Sequence, residues 1–156
     1  MNTFNFLIKN LDNKHKSQLL WFWNNKNKII KGWPPILENE VFLATKAKGI
    51  YKPQNNDYAL SVRSSLSGPY DDNLKKLENG KFSFRYFQEN LNPKERDLEY
   101  TNLAMKKCMK DKIPIGVFIQ KKEKPNPLYE VIGTGLVKSW DNGFFNIDGF
   151  DDSGEI

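Results

Sequence analysis

The apolar residues of this chain come in short runs, and turn-forming residues cut almost every one of them. From residue 41 onward the runs are Val41-Phe42-Leu43-Ala44, then 49–52 closed by Pro53, then 58–64 after Asn55-Asn56-Asp57. An aromatic run at 81–88 follows Asn79-Gly80, and 113–120, 129–137 and 144–147 complete the series. Runs of four to nine residues bounded by Gly, Pro, Asn and Asp have the length of strands, not of helices. Asn-Gly at 79–80 and Asp-Asn-Gly at 141–143 are hairpin signals. Gly133 and Gly135 inside one run predict a bend or bulge. The chain is therefore expected to build six or seven short strands into a curved, barrel-like mixed sheet.

Two stretches break that texture. Asp12 or Asn13 can cap a helix whose apolar face carries Leu19, Leu20, Phe22 and Trp23. Gly32-Trp33-Pro34-Pro35 must end it, because proline cannot continue a helix. Residues 1–38 are thus expected to form a helical appendage, with Trp21 and Trp23 either core or a face for a protein partner. A second helix is expected over 97–110, with Leu98, Met105, Cys108 and Met109 on one face and lysines in its last turns. The fold class is α+β: one internal helix, a leading helical appendage, and a sheet domain over 39–156.

Composition narrows what such a domain can do. At 156 residues it has material for one core. The formal charge is +5, although 148–156 carries four acids and no base, so the body of the chain is more basic still. A basic body favours a polyanionic partner through phosphate contacts; Lys/Asn-rich coding would raise the charge as well. One Cys and one His exclude a His/Cys zinc cluster and an internal disulfide. Neither a phosphate-binding G-x-x-x-x-G-K-[ST] loop nor a G-x-S-x-G nucleophile elbow is present. No catalytic group and no cofactor is expected in this segment. The first residues do not read as a signal peptide and no run is long enough to span a bilayer, so a cytoplasmic chain with no membrane partner is expected. The ending Asp-Asp-Ser-Gly-Glu-Ile suggests a piece of a longer protein.

The stretch 67–88 carries the most chemistry. Tyr70-Asp71-Asp72 sets a ring beside two carboxylates, and Phe82, Phe84, Tyr86 and Phe87 crowd the strand that follows. Two rings and an acid around one cavity could hold a flat, hydrogen-bonding base, the rings on its faces and the acid on its amine. The same residues could equally be a hairpin with core aromatics and turn-forming acids.

Three motifs in this order resemble the SRA (SET- and RING-associated) domain of the PUA-like superfold, a reader of modified cytosine. They are Ser-Gly-Pro-Tyr-Asp-Asp at 67–72, Phe-Ser-Phe-Arg-Tyr at 82–86, and the helix-then-strand stretch 101–118. The segment 131–145 is similar to the end of SRA-like domains that precede an HNH nuclease in bacterial modification-dependent restriction enzymes. The resemblance implies a duplex-DNA partner carrying 5-methyl- or 5-hydroxymethylcytosine, a base flipped into a pocket, and a nuclease domain outside this chain. It implies Tyr70 and Phe84 as the two rings, with Tyr86 in place of Phe84 if the register slips, and Asp71 or Asp72 on the N4 amine. Arg63, Ser65, Lys81, Arg85 and Asn102 are implied as contacts to DNA or the pocket edge. A PUA-like RNA-binding module and a protein-interaction domain built on the Trp-rich helix are the alternatives.

Overall fold

A computed structural model of the chain describes residues 1–46, 48–65, 73–89 and 99–156. Among these residues there are three α-helices, α1 (Thr3–Ile8), α2 (Asn13–Asn24) and α3 (Tyr100–Asp111). The same residues form eight strands, β1 (Ile29–Lys31), β2 (Ile50–Tyr51), β3 (Ser61–Ser64), β4 (Leu74–Lys76), β5 (Phe82–Phe87), β6 (Ile115–Lys122), β7 (Leu128–Asp141) and β8 (Phe144–Gly149).

All eight belong to one sheet, ordered β2-β3-β6-β7-β8-β5-β4, with β1 laid along β7. Among the described residues only the β3–β6 pair is parallel, and its long crossover runs through β4, β5 and α3, as a parallel pair requires. The expected mixed sheet is present, with eight strands in place of six or seven. Among the described residues no hydrogen-bonded ladder joins the β2 edge to the β4 edge, so the sheet is open. The bulge expected near Gly133 is found. Val117 faces Gly133 and Phe118 faces Val131, so the register slips by one there.

The run 41–44 does not form the expected strand. Phe42 is 43% exposed while its neighbours Leu43 and Ala44 are buried, which is not the alternation of a pleated strand. Val41 makes an isolated bridge to Leu37, and the next two carbonyls are satisfied by side chains instead of a ladder. Gln18 Nε2 donates to the Phe42 carbonyl at 2.7 Å, and Ser61 Oγ to that of Leu43 at 2.7 Å. Buried carbonyls need partners, and any donor serves.

The main core lies against β3, β5, β6, β7 and β8 and includes Val62, Phe84, Met105, Cys108, Phe145 and Ile147. Cys108 is fully buried there, and burial pushes its thiol up to about 12, so it behaves as a small hydrophobe. α3 ends where Lys112 turns left-handed at φ 56°, and both Lys112 and Ile113 donate to the Cys108 carbonyl.

The first 38 residues pack onto this sheet. Asp12 Oδ1 caps α2 by accepting from the His15 amide at 2.8 Å. Phe22 of α2 lies over Gly116 of β6, where a Cβ would come within 2.4 Å of its ring. Only glycine lets the helix sit that close. Phe4 stacks on Trp23 with ring centroids 4.7 Å apart and meets Phe150 edge-on. The last residues tie back to α1, the Gly154 carbonyl accepting from the Phe4 amide at 2.9 Å.

Candidate nucleic-acid interface

β3 and β5 are separated in the sheet by β6, β8 and β7. Their C-terminal ends nevertheless face one another, because the sheet curls. Gly49, just before β2, abuts Tyr86 of β5, where a Cβ would come 1.9 Å from the tyrosine oxygen. A glycine at 49 is what lets the ring occupy that place. Glu89 bridges the same gap. Its Oε1 accepts from the Ile50 amide at 2.9 Å and from Tyr86 Oη at 3.4 Å.

The two strand ends enclose a hollow of about 240 Å³. Its walls are Arg63, Ser64 and Ser65 from the end of β3, and Arg85, Tyr86 and Phe87 from the end of β5, with Gly49 and Asn73 at the rim. That volume lies below the roughly 300–1,000 Å³ typical of drug-sized sites and suits one small planar group.

The hollow is basic and pre-set. Arg63 Nη2 donates to the carbonyls of Thr45 at 3.3 Å and Lys48 at 3.5 Å, and its guanidinium lies 5.0 Å from the centre of the Trp33 ring. Its Nε is buried with no hydrogen-bond partner among the described residues. Such an atom is costly to leave unsatisfied. Burial, then the nearby Glu89 charge, push the Tyr86 phenol well above its ordinary range, with Arg63 opposing. Tyr86 is a neutral ring at all working pH. Arg85, exposed on the hollow's wall, has its guanidinium 3.9 Å over the Phe144 ring.

Of the residues singled out in the sequence, Arg63, Ser65, Arg85 and Tyr86 come together on this hollow. Phe84 does not. It is 3% exposed and belongs to the main core, paired across the ladder with Ile147 and Leu74. Strand alternation sends Phe82 and Phe84 inward; Tyr86 continues that face only where the core runs out. Asn102 does not either. It is fully buried in α3, donating to the Glu89 carbonyl at 2.7 Å and accepting from the Glu89 amide at 2.9 Å. Its role is to hold the chain leaving β5 against the helix. Lys81 sits before β5, at the far end from Tyr86, in a separate recess with Lys26 and Lys76. Tyr70, Asp71 and Asp72 lie outside the described residues. Gly49, Asn73 and Phe87 escaped the sequence reading as site residues. Gly49 gives no local signal, since its reason is a contact with a strand far along the chain.

No protein-family model matches the chain, and no match among curated proteins was found. Solved structures to which it is similar include the SUVH5 SRA domain with fully methylated CG DNA. That similarity has 22% identity and a TM-score of 0.41, over 69% of this chain and 75% of that one. The SUVH5 SRA domain with methylated CHH DNA is similar at 27% identity and a TM-score of 0.38, over 65% and 70%. KRYPTONITE in complex with mCHG DNA and SAH is similar at 19% identity and a TM-score of 0.40, over 64% of this chain. The chain spans about a quarter (24%) of that KRYPTONITE chain.

Proposed function

We propose that this chain is a DNA-binding module that accepts a modified cytosine, flipped out of a duplex, into the hollow between the ends of β3 and β5. The observation that carries the reading is the meeting of Arg63, Ser65, Arg85 and Tyr86 there, from strands that are not neighbours in the sheet. Tyr86 and Phe87 offer ring surface, and Arg63 and the serines offer hydrogen-bond donors. Ser65 and Asn73 both line the hollow, and the residues between them include Tyr70, Asp71 and Asp72. These are the ring and the carboxylates that the sequence reading assigns to the base and its N4 amine.

The energetics fit a reader. Extruding a base costs a few kcal/mol, and stacking on a ring returns about 1–3 kcal/mol. Phosphate contacts supply affinity that ignores sequence. A recess for one methyl discriminates by about 1–3 kcal/mol. Methyl- and hydroxymethylcytosine are the modifications this chemistry suits, and the likeness of 131–145 to nuclease-linked SRA-like domains supports a role in delivering an HNH nuclease carried outside this chain.

Gel-shift titration of duplexes with plain or 5-methylcytosine tests the reading. Wild type should prefer the modified duplex by about 5- to 150-fold, and Asp71→Ala with Asp72→Ala should erase that preference. Unchanged discrimination in the double variant would count against it.

A further inference from the structure

A second, larger cavity of about 470 Å³ opens on the other side of Arg63. Trp33 and Tyr129 form its ring surface, meeting edge to face with centroids 5.9 Å apart. Lys46, Arg63 and Lys124 line it with no carboxylate among the described lining residues, and the largely buried Gln120 contributes an amide. Lys46 Nζ lies 5.5 Å from the Trp33 ring centre and the Arg63 guanidinium 5.0 Å from it, so both cations are held beside the ring. Rings, an amide and fixed cations in one cavity match a nucleotide: a base to stack, edges to hydrogen-bond, and a phosphate to neutralise. Arg63 lines both cavities, so the two adjoin at this side chain.

The geometry points to a second nucleotide subsite under Trp33, which takes the nucleotide flanking the flipped base in the same bound strand; this rests on the base-in-hollow reading above. Arg63 then stands between two successive nucleotides, and Lys46 and Lys124 meet the phosphate beyond. The subsite makes affinity depend on the flanking base being present, whatever the state of the cytosine.

Two duplexes carrying the same 5-methylcytosine decide it, one with natural flanks and one with abasic sugars in their place. Wild type should bind the abasic-flank duplex about 5- to 150-fold more weakly. Trp33→Ala should bind both alike. Lys124→Glu, at an exposed position between β6 and β7, should weaken both and lower the slope of log affinity against log salt by about one. Lys14→Glu, an equal charge change on α2, should leave the abasic penalty intact. Equal wild-type affinity for the two duplexes overturns the subsite. So does saturable binding of free deoxycytidine monophosphate that Trp33→Ala abolishes while the abasic penalty is absent, since the ligand would then come from solution. A lost preference for methylated over plain duplex is a separate result. It would sink the reading of the first hollow, whereas an intact preference without an abasic penalty sinks only this one.

Discussion

Gly49 carries more of the site than its lack of a side chain suggests. Its missing Cβ is the space Tyr86 uses, and an added methyl would meet the tyrosine oxygen at 1.9 Å. Gly49→Ala should therefore push the ring into the hollow, at a cost of about 1–3 kcal/mol for overpacking. Affinity for 5-methylcytosine duplex should fall more than affinity for plain duplex, and parallel titrations check this. A proportional loss on both would mean that Tyr86 does not touch the base. At this scale the sequence was half legible. Arg63, Arg85 and Tyr86 stand out as cations and a ring on strand ends. Phe84 and Asn102 look equally functional in one dimension, but the core claims the first and the Glu89 backbone the second.

Among the elements, the long runs were readable because periodicity and turn residues agree. β5, β6, β7, β8 and α3 lie within a few residues of where their patterns place them. β1 and β4 are three residues each, too short for any alternation to show, and they exist because β7 and β5 offer partners. The run 41–44 failed in the opposite sense, apolar in sequence but served by Gln18 and Ser61 instead of a strand. α2 brings a titration with it. His15 is 3% exposed, its Nε2 has no hydrogen-bond partner among the described residues, and Asn56 Nδ2 lies 3.3 Å from its Nδ1. Burial lowers its pKa, with Asp12 opposing. The unfolded chain then binds the proton more readily, so stability should be full above the unfolded value of about 6.5 and decline as pH falls below it. Urea midpoints at pH 7.5 and 5.5 measure this, and His15→Gln should flatten the difference. A midpoint that rises on acidification would contradict the buried, neutral histidine.

At the scale of the whole molecule, a sheet that curls without closing leaves a gap between the β2–β3 edge and β5, and that gap is the hollow. A curved, barrel-like sheet was expected; nothing in the sequence distinguishes a closed sheet from an open one, because the β2 end meets β5 through Gly49, Tyr86 and Glu89 and not through a ladder. The net charge of +5 favours a polyanionic partner. Arg85, exposed beside Phe144, should act on phosphate alone. Arg85→Ala should weaken modified and plain duplex equally and lower the salt slope by about one, as fluorescence anisotropy across a salt series can measure. The most direct observation is of the base itself. A duplex with a single 5-methylcytosine, its methyl carbon labelled with ¹³C, reports the surroundings of that methyl by NMR. In the saturated complex the methyl resonance should move under the ring currents of Tyr86 and Phe87, and return toward its free-duplex position with Tyr86→Ala. A methyl signal that stays where it is in the free duplex, in a complex shown to be fully bound, would contradict the flipped base and with it the function proposed for this chain.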